Sequence, residues 1–288
     1  MYHVHLSDWG SNMSLTNRTI VETGWLAKHL REDDIVVADC RYNLMDSSEG
    51  RKKYLSGHIP GAYFVDMETD LTGEKKEHGG RHPIPDKDDF SKKMSAIGVE
   101  KGKTVVAYDD DLSGASRLWW LLNYFGHDHV YVLNGGIGKW MEEGREISLE
   151  LPVEMNSRFE PAVNHDLLFD VHTVRSSRSN VIVDSRAPER YAGKHEPIDF
   201  KAGHIPGAVN IFYRDAMNPE GKIKERDDLR KLYKNTGPSP VIYCGSGITS
   251  CVNILGMAVI GIEAKLYPGS WSDWISYPEN DVETEAGS

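Results

Sequence analysis

GHIPGAYFVD at residues 57–66 returns as GHIPGAVNIF at residues 203–212, and the match extends in both directions. IVVADCR (35–41) answers VIVDSR (181–186), TVVAYD (104–109) answers PVIYC (240–244), and VYVLNGGIGKW (130–140) answers AKLYPGSWSDW (264–274). Matched blocks in one order mark an internal duplication, and so long a period means tandem domains and not a solenoid. The copies stand 146 residues apart at Gly57 and Gly203 but 135 apart at Tyr108 and Tyr243. The first half therefore holds an insertion of roughly 11 residues, for which the polar, Gly-rich LTGEKKEHGGRHP (71–83) is the candidate.

Within each half, short β-branched runs (IVVAD, TVVAY, VYVL; VIVD, PVIY, AKLY) alternate with longer helical segments, the rhythm of a mainly parallel sheet flanked by helices. ASRLWWLLNYFG (115–126) and SCVNILGMAVIG (250–261) are apolar almost all round and end at glycine, as buried helices do. The expected fold is α/β, with an N-terminal domain over 15–145, a linker over 146–165 that wraps the surface, and a C-terminal domain over 166–280. A chain of 288 residues divides into two domains of ordinary size, each with its own core. The final ENDVETEAGS reads as an acidic tail.

A formal net charge of −11, with no dense Lys/Arg stripe in either half, argues against nucleic-acid and acidic-membrane partners. No apolar stretch is long enough for a membrane span, and the first 30 residues lack the basic start and apolar middle of a signal peptide. Three cysteines, Cys40, Cys244 and Cys251, form no disulfide framework, which fits the reducing cytoplasm. No Cys or carboxylate joins the histidine pairs at ligand spacing, so neither a metal nor another cofactor is expected.

Cys244 ends the run VIY and opens CGSGIT (244–249), immediately before the helical segment SCVNILGMAV. Ligands in open α/β sheets sit outside the carboxyl ends of strands. At such a strand-to-helix turn the first N–H groups are unpaired and point outward. Gly245 and Gly247 let them converge, Ile248 leads into the helix, and Ser246 and Thr249 add hydroxyl donors. A helix N-terminus lowers a thiol pKa, so the loop favours a thiolate or persulfide on Cys244. Cys251 lies inside the apolar helix and Cys40 answers Ser185, so both read as structural.

Tandem GHIPGA blocks with a CGSGIT loop in the second half alone resemble the two-domain rhodanese-type sulfurtransferases over nearly the whole chain. The resemblance implies rhodanese-like domains, of which the first is inactive, since Asp109 stands at its cysteine position. It implies a Cys244 persulfide that takes sulfur from 3-mercaptopyruvate or thiosulfate and gives it to cyanide or to a thiol such as thioredoxin or a small thiol. CGSG[VI]T[AS] resembles the loop of the 3-mercaptopyruvate branch, whereas the thiosulfate branch carries Arg-Lys after the cysteine. By the same resemblance Arg190 holds the donor anion, and Ser246, His58 and an acid, Asp46 or Glu49, form a proton relay. His58 and His204 are equivalent in the two copies, and a turn-stabilising role also accounts for both. The second arginine usual in that branch is replaced by Ile198, leaving Arg186, Lys194 or Lys201 to substitute. GGRHPIP (79–85) is expected near the domain interface, with Arg81 and His82 toward the cleft.

Alternatives are a thiosulfate:cyanide sulfurtransferase proper and a non-catalytic persulfide carrier. A cysteine phosphatase needs an arginine six positions after the cysteine, where this chain has Ser250.

Overall fold

In the computed structural model, residues 19–177 and 179–285 are described; the expected domain start at residue 15 lies outside them. The β-branched runs become strands β1 (Ile20–Val21), β2 (Ile35–Asp39), β3 (Tyr63–Phe64), β4 (Thr104–Tyr108), β5 (Val130–Leu133), β6 (Ile182–Asp184), β7 (Val209–Asn210), β8 (Val241–Tyr243) and β9 (Lys265–Leu266). Two wholly parallel sheets result, ordered β1-β5-β4-β2-β3 and β7-β6-β8-β9. Leu168 forms a parallel bridge to Leu266 where the first sheet has β1 against β5, so the strand orders of the copies correspond. The helices are α1 (Thr23–His29), α2 (Glu49–Ser56), α3 (Lys87–Ala96), α4 (Ser113–Tyr124), α5 (Gly136–Glu142), α6 (Val171–Ser176), α7 (Pro188–Tyr191), α8 (Arg226–Leu232), α9 (Ser250–Val259) and α10 (Ser270–Trp274).

The repeated GHIPGA block is a turn clamped to its sheet by the same bonds in both halves. Arg41 pairs with Asp39 at 2.6 Å and donates to the carbonyl of Gly57 at 2.7 Å; Arg186 pairs with Asp184 at 2.6 Å and donates to that of Gly203 at 2.6 Å. Tyr108 and Tyr243 accept the N–H groups of Ile59 and Ile205, each at 3.1 Å. The linker runs along the first domain, Ser148 bridging His58 and the carbonyl of Ala96 accepting the N–H of Met155. The acidic tail differs from a free extension: Glu283 bridges His204 just as Ser148 bridges His58.

The expected two cores are joined. Helices α4 and α9 are apolar on nearly every face, so the side turned away from each sheet also needs cover, and each helix covers the other. One apolar cluster consequently runs from Val105 and Leu118 to Leu255 and Ile242. Leu255 is fully buried in it, so Leu255→Ala should cost about 2–5 kcal/mol of stability. Denaturant titration of the full chain checks this, and a loss below about 1 kcal/mol would show that the site can collapse around the deletion.

Candidate active site

Residues 244–249 connect β8 to α9 at the carboxyl edge of the second sheet. The carbonyls of Cys244 and Gly245 accept the N–H groups of Trp271 and Ser272, each at 3.0 Å, so α10 braces the loop. Gly247 has φ +83°, and a Cβ there would stand 2.4 Å from the carbonyl oxygen of Pro268; no other residue fits without moving backbone. This geometry turns the N–H of Gly247 onto Cys244 Sγ at 3.1 Å. Cys244 is buried, and burial pushes its thiol up. The Thr249 hydroxyl and the N–H groups of Ser246 and Ser250, turned toward the sulfur, outweigh that effect and hold the thiol below its ordinary value. Cys251 is pushed up to about 12 by burial, and burial also raises Cys40, so neither shares this activation. Ile248 is buried in the joined core.

The equivalent turn of the first domain holds a carboxylate in place of sulfur. Asp109 accepts the N–H groups of Leu112 at 2.6 Å, Gly114 at 2.6 Å and Ala115 at 3.1 Å.

Ser246 has a histidine partner, but not the one expected from sequence. His82 Nδ1 lies 2.8 Å from Ser246 Oγ, and His82 Nε2 lies 3.0 Å from Glu68 Oε1. Burial lowers the His82 pKa to about 4, so the ring is neutral at pH 7. Glu68 is held below its usual range: burial raises it, but Lys75 and His82 together outweigh burial. A carboxylate at Nε2 places the single ring proton there, so Nδ1 accepts from the Ser246 hydroxyl. Glu68, His82 and Ser246 thus form one hydrogen-bonded chain.

His58 is not part of it. Its Nδ1 lies 2.9 Å from the carbonyl oxygen of Tyr54 and its Nε2 3.0 Å from that of Glu150, with the ring stacked on Tyr54 at 4.2 Å. His204 repeats the arrangement, 2.8 Å from the carbonyl of Tyr191 and stacked on that ring at 3.8 Å. Both close their turns. Asp46 and Glu49 bind Ser48 and Lys53 and do not contact His58.

Arg190 and Arg81 converge on the front of the loop. A Cβ on Gly245 would meet Arg81 Nη2 at 2.9 Å and both terminal nitrogens of Arg190 at 3.5 Å. Arg190 comes from α7, and Arg81 from the insertion in the first domain. That insertion docks on α10: Gly79 donates to Asp273 at 2.6 Å, Arg81 N–H to Ser272 at 3.1 Å, and His78 stacks on Tyr277 at 3.9 Å. Arg186 is instead committed to Asp184, Glu196 and Gly203, with its guanidinium over Trp271 at 4.6 Å, the same clamp as Arg41. It reaches Arg190 only through Glu196. Arg117 of α4, fully buried, donates to the carbonyls of Gly247 at 3.1 Å and His82 at 3.0 Å, tying the relay loop to the cysteine loop. The signal that marks Arg81, His82 and Glu68 is asymmetry: they lie in or beside the stretch that the second copy lacks.

The arrangement offers a buried, activated sulfur, two guanidiniums in front of it and a hydroxyl whose proton is controlled by a neutral imidazole. It is suited to nucleophilic attack on a small anionic substrate with proton transfer.

Comparison with known proteins agrees. The family of the rhodanese-like domain matches residues 22–143 and 170–277. The "Probable 3-mercaptopyruvate sulfurtransferase" of Pseudomonas aeruginosa is 36% identical over 271 residues, covering 90% of this chain and 95% of that protein. The thiosulfate sulfurtransferase of Bos taurus is 32% identical over 277 residues, 89% of this chain and 92% of the relative. The crystal structure of SseA from Escherichia coli, a 3-mercaptopyruvate sulfotransferase of "rhodanese" fold, superposes with a TM-score of 0.78 at 29% identity, covering 88% of this chain and 98% of that one. With duplicated sheets, one cysteine-bearing cradle and these relatives, the chain belongs to the rhodanese-like family and is a sulfurtransferase.

Proposed function

We propose that the chain transfers sulfur from 3-mercaptopyruvate, through a persulfide on Cys244, to a thiol or cyanide acceptor. The observation that carries the donor assignment is the Ser246–His82–Glu68 relay beside an uncharged Gly245. The Cys244 thiolate attacks the donor sulfur, an S–S bond forms and the C–S bond breaks. The departing carbon takes the electron pair and gains the proton that the donor thiol releases, giving pyruvate and the Cys244 persulfide anion. Ser246, donating to neutral His82, is placed to pass that proton, and Arg81 and Arg190 are placed to hold the donor carboxylate. The acceptor then takes the outer sulfur and restores the thiolate. A protein thiol such as thioredoxin, or a small thiol, fits this step, and the unpaired cysteines fit a reducing cytoplasm. Among the described residues no helix is long and apolar enough to cross a membrane.

The paired guanidiniums give thiosulfate, a dianion, a claim as the alternative donor. Intact-mass analysis after incubation with each donor, together with kcat/KM for both, tests the assignment. Cys244 should gain one sulfur of about 32 Da and mercaptopyruvate should be preferred, whereas Cys244→Ser should neither load nor turn over. A higher kcat/KM for thiosulfate would move the enzyme to the other branch.

The relay makes a separable claim. His82→Ala should lower kcat for mercaptopyruvate by about 10²–10⁴-fold while His58→Ala mainly lowers thermal stability. If the two variants behave alike, Ser246 does not use His82. For the thiolate, the midpoint of Cys244 alkylation against pH should lie below the ordinary thiol value of about 8.5. Thr249→Val removes a donor to the anion and should raise that midpoint; an unchanged midpoint would exclude the hydroxyl as a cause.

A further inference from the structure

Three guanidiniums and three carboxylates form one ion-pair network, two of whose guanidiniums, Arg81 and Arg190, face the cysteine loop, and its charges cancel. Arg186 is held by Asp184 at 2.6 Å and Glu196 at 3.2 Å. Arg190 is held by Glu196 at 2.8 Å and Asp199 at 2.9 Å, and Arg81 by the other oxygen of Asp199. A donor anion arriving at Gly245 thus finds both available cations already neutralised. Adding a further negative charge to a neutral, largely desolvated cluster is unfavourable unless one of the existing charges leaves.

The three carboxylates are not equivalent. Asp184 belongs to the clamp that Asp39 forms with Arg41 in the other copy. Glu196 grips Arg190 through Nε and Nη2 and would continue to orient it alone. Asp199 gives one oxygen to a cation of each domain, and its side chain is only 4% exposed. Its sequence neighbours Ile198 and Phe200 are 44% and 81% exposed, so this segment can carry Asp199 outward without opening a core.

We propose that Asp199 is a resident anion, whose carboxylate fills the donor's place between Arg81 and Arg190 and is exchanged for the donor's anionic group on binding. This rests on the reading of the two arginines as the donor clamp. Asp199 then acts as a residue that determines donor specificity: a compound serves as donor only if its anion bridges both guanidiniums well enough to displace an internal carboxylate, and a thiol without such an anion does not. The resting charge pairing lowers the apparent affinity for every donor by the fraction of molecules in which the clamp is free.

The test uses the full chain with Asp199→Asn, Asp199→Ala and Arg81→Ala, and reads pyruvate binding by calorimetry as well as KM for mercaptopyruvate. Both Asp199 variants should bind pyruvate more tightly, by about tenfold, with KM falling in parallel. Arg81→Ala should weaken binding, and Asp199→Asn placed on that background should lose most of its gain. Weaker or unchanged pyruvate binding in both Asp199 variants would mean that Asp199 merely orients the clamp, and would overturn the proposal. Since pyruvate binding is read without turnover, failure of the wild-type protein to take sulfur onto Cys244 would defeat the donor reading separately, leaving the Asp199 comparison legible.

Discussion

A parallel sheet that feeds a helix leaves several N–H groups converging at the turn, and those donors require an acceptor. Both copies of this fold meet that requirement, with different atoms. In the first, Asp109 supplies carboxyl oxygens that accept three backbone N–H groups, although burial pushes its pKa well up. In the second, Cys244 supplies sulfur, which accepts the N–H of Gly247. On the proposed mechanism the negative charge passes from Sγ to the outer sulfur of the persulfide, while Sγ keeps lone pairs that can accept from the same donors.

The first domain has Asp109 where the second has Cys244, yet it lends side chains to the site. Glu68, His82 and Arg81 all come from it, carried on or beside a segment that docks against α10. The same helix braces the cysteine loop from the other side. Arg81 and the cysteine loop are thus both held against one short helix.

The architecture was legible because duplication doubles every weak signal. A two-residue strand such as β9 is poorly defined alone, but its place is fixed by β5 in the other copy. Cys244 and its loop were legible for a local reason: glycines, hydroxyls and a helix start fall within six residues of sequence. The histidine was not. His58 sits in a conspicuous repeated motif, yet repetition in a chain with one cysteine-bearing cradle marks what both domains need for folding, and the carbonyl contacts of His58 and His204 bear this out. Arg186, one of three substitutes offered for the missing second arginine, makes the clamp that Arg41 makes in the other copy. His82 lies 164 positions from Ser246, and no periodicity or spacing rule connects residues so far apart. The joined core also escaped a domain-by-domain reading, because an all-round apolar helix declares that it is covered without declaring by what.

Arg117 bears on how separable the two halves are. No carboxylate pairs with its guanidinium among the described residues; it is held by backbone carbonyls drawn from both domains. A buried cation of this kind is tolerable only where such oxygens already surround it. Cut the chain at the linker and the first half would keep an arginine missing one of its main oxygens, while in the second the Gly247 carbonyl would keep only the Cys251 thiol as a donor. The repeat looks like two interchangeable modules, but the copy with Asp109 in place of the cysteine serves as a co-subunit in the same chain, and shuffling either half into a new protein would bring the nucleophile or its support, never both.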